Sequence, residues 1–190
     1  MKIGSLLIVT GNSGKAEELK ELLAVSSISI DYRDLSLLEM QSLNIKEIGR
    51  RKTASALRHR EEIAGYDAVL TDDTGLMCRS LSGLPGPLIK WFLQTVGTEG
   101  LLDMLKGKDP SAVATCLLTL GMVEEGSIHQ FEGNVPGRLV DAKGARGFGW
   151  DSIFLPDGCR TTYGEMDSKT KNETSHRAQA AAYLRKWLIS

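Results

Sequence analysis

The 190-residue sequence predicts an α/β fold with a mixed sheet, and three observations carry that expectation. Short apolar runs alternate with helix-patterned segments in the first half, the second half turns to β-like runs, and Gly/Pro clusters punctuate both. No Pro/Gly/Ser-rich linker divides the chain, so a single domain over 1–190 is expected, with a ligand cleft between its helical and sheet-rich parts.

Ser5 to Thr10 reads as a buried strand broken by Gly11-Asn12-Ser13-Gly14, after which Leu19, Leu22 and Leu23 fall on one face of a helix. Ile28 to Tyr32 is the second strand. A helix rich in Arg, Lys, Glu and Ala is expected from Ile45 to Ala64, with Gly65 as its stop. Ala68 to Thr71 reads as a third strand that ends in the turn-like Asp72-Asp73-Thr74-Gly75. Pro87, closing Gly83-Leu84-Pro85-Gly86-Pro87, suits the first turn of a helix through Trp91 and Phe92. Ala112 to Met122, Ser127 to Val135 and Gly137 to Val140 form an antiparallel meander. Ser152 to Leu155 adds a short strand, and a last helix runs from His176 to Leu188 with Ser175 as its N-cap.

Composition narrows the function. Twenty-three Lys+Arg against 24 Asp+Glu leave a net charge of −1, too little to hold a nucleic-acid backbone, so no nucleic-acid partner is expected. No run approaches the ~20 apolar residues of a membrane span, and Leu6-Leu7-Ile8-Val9 is too short for a signal-peptide core. Cys78, Cys116 and Cys159 are odd in number and widely spaced, which disfavours a disulfide framework or structural zinc and suits a reducing, cytoplasmic setting.

Thr10-Gly11-Asn12-Ser13-Gly14-Lys15 combines a strand end, a glycine loop, a helix N-terminus and a lysine, the ingredients of a phosphate cradle. It is not a P-loop, because two residues separate its glycines instead of four and Ala16 follows the lysine. Asp72 and Asp73 offer hard oxygen ligands suited to Mg²⁺, and equally read as turn-forming aspartates. Glu39 is a further candidate ligand or a solvated acid. Phe148 and Trp150, set among Gly144, Gly147 and Gly149 beside Arg146 and Asp151, read either as a stacking platform for a base or as core plugs. Lys169, Lys171, His176 and Arg177 gather near the start of the last helix. Together these describe a Mg²⁺-dependent nucleotide-polyphosphate site; His59, His129 and the cysteines read as structural.

Five blocks extend the reading: T-G-N-S-G-K from Thr10, D-D-T-G-L from Asp72, G-L-P-G-P from Gly83 running into Ile89-Lys90-Trp91-Phe92, G-F-G-W-D from Gly147, and Ser175-His176-Arg177. In this order they resemble the inosine triphosphate pyrophosphatase family, whose members convert ITP, dITP and XTP to the monophosphate and pyrophosphate. The resemblance implies an elongated, two-lobed mixed sheet flanked by helices, with the active site between the lobes, in a homodimer. It implies that Thr10, Asn12 and Lys15 bind triphosphate and that Lys52 is an active-site lysine. Asp73 would be general base and metal-site carboxylate, with Asp72 beside it, Glu39 as a metal ligand and Thr74 at the substrate edge. Phe148, Gly149, Trp150 and Asp151 would form the nucleoside pocket, Lys171 would bind nucleotide, and His176 and Arg177 would read the base. Mg²⁺, with Mn²⁺ as substitute, is the implied cofactor. Two other functions share these features: a septum-protein-type pyrophosphatase acting on pyrimidine or modified nucleotides, which the G-L-P-G-P and S-H-R blocks disfavour, and a non-catalytic nucleotide sensor.

Overall fold

The computed structural model describes residues 3–24 and 28–189, and within them the chain forms one mixed sheet flanked by helices. Strand β1 (Ser5–Val9) lies parallel to both β2 (Ser29–Arg33) and β3 (Ala68–Cys78). All later pairings are antiparallel: β3 with β5 (Ser111–Met122), β5 with β6 (Ile128–Leu139), and β6 with β7 (Phe154–Pro156). The order is β2-β1-β3-β5-β6-β7, and the two-residue β4 (Pro85–Gly86) pairs with the far end of β3. No helix among the described residues is long and apolar enough to cross a membrane.

Among the described residues six helices accompany the sheet: α1 (Ser13–Leu22), α2 (Ile45–Ala56), α3 (Ile89–Thr95), α4 (Gly97–Leu105), α5 (Ser168–Thr174) and α6 (His176–Leu188). Alternation along the strands assigns them to faces. Leu6, Ile8, Ala68 and Leu70 pack with Leu19 of α1 and Ala181 and Leu184 of α6; Leu7, Val9 and Val69 pack with Ala56 of α2. A separate cluster gathers Leu76, Cys78, Ile89, Leu101, Trp150 and Phe154 at the other end of β3. The core is thus three clusters strung on β3, two on opposite faces of its first residues and one at its far end, with residues 71–75 between.

Several boundaries differ from the sequence expectation. Strand β3 does not stop at Thr71 but runs through both aspartates to Cys78. Helix α2 ends at Ala56 instead of Ala64, because the following turns carry Leu57 and Ile63 into the core while Arg60 donates to the Val123 carbonyl. Pro87 precedes the N-cap, Leu88, and so lies outside α3. The two runs around Pro136 are one strand: its carbonyl accepts from Asp157 N–H on the β7 side, so the missing N–H falls on that same side and leaves the β5 ladder intact. The short strand sits two residues later than expected at its start, after a 3₁₀ turn over Asp151–Ile153. Helices α4 and α5 were not anticipated, whereas Ser175 does cap α6, accepting from Ala178 N–H.

One glycine fixes the seat of α6. A Cβ on Gly133 of β6 would lie 2.1 Å from the His176 carbonyl oxygen and 2.6 Å from the Ala180 nitrogen, so only glycine lets the first turn of α6 rest on the strand. Gln179 adds a clamp, its side-chain oxygen accepting from Asn134 N–H at 3.2 Å.

Candidate active site

Pairing along one edge of β3 changes hands at the aspartates. Strand β1 pairs with Ala68 to Leu70, β4 pairs with Leu76 and Met77, and neither pairs with the residues between. This change of neighbour, beyond the carboxyl end of β1, is where open α/β sheets present ligands. A cleft of about 870 Å³ opens there, within the size range of small-molecule sites. Thr10, Gly11, Asn12 and Lys15 line it at the end of β1, where Asn12 caps α1 by accepting from Lys15 N–H at 3.0 Å. Ser13 and Gly14 do not line the cleft. Gly14 lies behind the Phe148 ring, which a Cβ there would meet at 3.1 Å.

Because the pair lies within a strand, Asp72 and Asp73 point to opposite faces. Asp72 turns toward α1 and α6. One oxygen accepts from Lys15 Nζ, the other from Arg177 Nε at 2.8 Å and from the Cys116 thiol at 3.3 Å. Burial opposes its ionisation, yet Arg177 and Lys15 outweigh that and hold the carboxyl well below the usual range. Asp73 turns toward α2, where Lys52 Nζ meets its Oδ1 at 3.0 Å and Glu39 at 3.0 Å. Its Oδ2 is buried with no hydrogen-bond partner. Burial pushes the Asp73 carboxyl up, against the pull of Lys52 and Lys15. The expectation of a turn whose two carboxylates converge on one cation is therefore corrected: the pleat separates them.

Phe148, Gly149, Trp150, Asp151, His176 and Arg177 also line the cleft. Trp150 is a buried core plug, its ring 5.4 Å from Phe154 and 5.2 Å from His176, whereas Phe148 is half-buried and borders the cleft. Lys171 does not reach the cleft surface. It is 4% exposed, paired with Glu18 and Asp151 at 2.8 Å each, and sits 4.9 Å from the Phe148 ring centre. Arg177 is likewise buried, bonded to Asp72 and Glu18. Burial first, then Arg177 and Lys171, keep the His176 pKa well below its ordinary value, so the ring is neutral; its Nδ1 has no partner.

Sequence reasoning missed two residues. Glu18 of α1 joins Lys171 to Arg177, and nothing in its exposed-looking helical context signalled that role. Lys90 lines the cleft and meets Glu39 at 3.4 Å; its position three residues after the G-L-P-G-P loop, in the first turn of α3, was the available signal.

Fold and site together define an α/β protein with a cleft at a sheet switch point, lined by Lys15, Lys52, Lys90 and Arg177 together with the carboxylates of Asp34, Glu39, Asp72, Asp73 and Asp151. Residues 6–187 match the Ham1 family, and the chain belongs to it. It is 41% identical to inosine triphosphate pyrophosphatase 1 of Trypanosoma cruzi over 94% of this chain and 89% of that protein. It is 40% identical to the inosine triphosphate pyrophosphatase of Schizosaccharomyces pombe, over 98% and 96%. The fold matches a HAM1 protein from Coxiella burnetii, with a TM-score of 0.82 and 24% identity over 100% of this chain and 99% of that one. A dITP/XTP pyrophosphatase from Mycobacterium abscessus aligns with a TM-score of 0.72 at 25% identity, over 95% and 98%.

Proposed function

We propose that this protein hydrolyses non-standard purine nucleoside triphosphates, ITP, dITP and XTP, to the monophosphate and pyrophosphate. The observation that carries the reading is Asp73: a partly buried carboxylate lining the cleft, one oxygen on Lys52 and the other buried without a partner. Such a group orients and deprotonates a water for attack on the α-phosphorus. Thr10, Asn12 and Lys15 receive the triphosphate, while Lys15, Lys52 and Lys90 offset its charge. The relatives' names support the substrate class.

The unpartnered Asp73 oxygen and Glu39 are two hard donors that fit Mg²⁺, with Mn²⁺ as substitute, an ion that commonly takes one or two protein carboxylates and fills its other positions with water and phosphate oxygens. Among the described residues no three His, Cys, Asp or Glu gather around one point, so protein oxygens alone do not fill such a site. When bound, the ion neutralises phosphate charge. Asp72 has both oxygens engaged by cations, and the metal reading rests on Asp73 and Glu39.

Base choice rests on donors. Arg177 keeps N–H groups on both Nη atoms, and the neutral His176 ring donates from one nitrogen, so a 6-oxo purine finds partners where adenine's amino group leaves donors unpaired. Phe148 lies along the base, with Gly149 and Asp151 shaping the pocket. The protein acts as a cytoplasmic homodimer in this reading, which its three free cysteines support as to compartment.

The test is steady-state turnover of ITP, XTP, dUTP, GTP and ATP with Mg²⁺ or EDTA, scoring pyrophosphate against orthophosphate by phosphorus NMR. Metal-dependent pyrophosphate from ITP and XTP, with ATP and GTP slow, supports the reading. Preference for a pyrimidine nucleotide, or tight ITP binding without product, replaces it.

A further inference from the structure

Two neighbouring aspartates on opposite faces of a strand cannot share one task, and the partners of Asp72 indicate its own. Its carboxylate is wholly buried, bonded to Lys15 from the first turn of α1 and to Arg177 from the first turn of α6. In the functional reading above, Lys15 serves the triphosphate and Arg177 the base. The second bond between Asp72 and Arg177, Nη2 to Oδ1 at 3.4 Å, makes the contact two-pronged and fixes the plane of the guanidinium. Glu18 holds Nη1 from the other side. Cys116, opposite Thr74 in the next strand, contributes the thiol contact to Asp72 and leaves no room for solvent there.

We propose that Asp72 is a positioning residue and not a metal ligand: it fixes the Arg177 guanidinium for base recognition and ties it to the Lys15 ammonium, so that the group serving the base and the group serving the triphosphate are set by one carboxylate. This rests on the functional reading above. A triphosphate that draws on the Lys15 charge leaves Asp72 with Arg177 as its principal counter-charge, so phosphate engagement tightens the hold on the base-reading group. Asp73, one residue on, serves the opposite face with Lys52 and Glu39.

The test compares wild type with Asp72→Asn and Asp73→Asn by equilibrium binding of ITP, ATP and inorganic tripolyphosphate across a Mg²⁺ titration, with circular dichroism to confirm folding. For Asp72→Asn the expected result is a loss of the ITP over ATP binding preference by tenfold or more, in about the range of losing a charge-assisted hydrogen bond, with the Mg²⁺ midpoint for tripolyphosphate unmoved. Asp73→Asn shifts that midpoint and keeps the base preference. A moved Mg²⁺ midpoint with base preference intact in Asp72→Asn overturns the proposal. Should Asp72→Asn fail to fold, Arg177→Lys, which keeps the charge and loses the two-pronged contact, must show the same loss of preference. If wild type itself binds ITP no tighter than ATP, the substrate reading fails, while the Mg²⁺ midpoints still decide how the two aspartates divide.

Discussion

Gly133→Ala tests how closely the base-reading residues depend on the sheet beneath them. The added methyl would stand 2.1 Å from the His176 carbonyl oxygen, about 1.3 Å short of the 3.4 Å at which ordinary contact begins, and 2.6 Å from the Ala180 nitrogen. Both obstacles are backbone, so α6 itself must move. Overpacking of this kind costs about 1–3 kcal/mol. For a chain of this length that lowers Tm by roughly 2–4 °C per kcal/mol. A lift of about 1 Å at the first turn stretches the 2.8 Å bond from Arg177 to Asp72 beyond hydrogen-bonding range, and misplacement on that scale can cost about 10²-fold in rate. The assays are thermal melting by circular dichroism and pyrophosphate release from ITP and ATP. Loss in kcat/KM for ITP well beyond the loss of stability is expected, with a narrowed preference over ATP. Wild-type kinetics and an unchanged Tm would refute the claim that Gly133 seats α6.

Asp73→Asn removes the base and should lower kcat by about 10²–10⁴-fold while tripolyphosphate binding stays measurable by calorimetry; near-normal turnover would take Asp73 out of the chemistry. Arg177→Ala should bring the kcat/KM values for ITP and ATP together, read from parallel progress curves, and an unchanged ratio would contradict its assignment. His176 has a folded pKa far below its unfolded 6.5, so the unfolded chain binds the extra proton and stability falls as pH drops below 6.5, by at most about 1.4 kcal/mol per pH unit. Urea unfolding from pH 7.5 to 5 should show that decline in wild type and a shallower one in His176→Gln. Asp72, whose folded pKa is depressed, adds stability that is present above its ordinary 3.8 and lost as pH falls through the folded value, so acid unfolding of Asp72→Asn should lack that component.

Most of the elements were legible because apolar period and punctuation agree locally: β1, β2, β5 and α6 lie within a residue or so of where their patterns place them. The failures share a cause. Strand β3 was cut short because carboxylates inside a buried strand make sense only once Lys15, Lys52 and Arg177, distant in sequence, arrive to neutralise them. The close of α2 depended on where Ile63 and Arg60 find partners, which no helical propensity records. At the site, most of the motif residues line one cleft, but motif spacing does not reveal that Lys171 and Arg177 are tied by buried ion pairs to Glu18, since that network joins α1 to α5 and α6. Trp150 and Phe148, alike in sequence context, parted ways on packing alone.

The pleat of β3 gives the fold an unusual kind of safeguard. All eleven residues of β3 pair in unbroken register with β5. A slip of one position would set Asp73 beside Arg177 and Thr74 beside Lys52, and would turn Val69 and Leu70 to the wrong faces of the sheet, so one shift undoes both the chemistry and the packing. Strand alignment here therefore does the work that an insertion or a duplicated residue would undo, and a single-residue insertion between Ala68 and Asp72 is a more damaging change than most substitutions in the cleft.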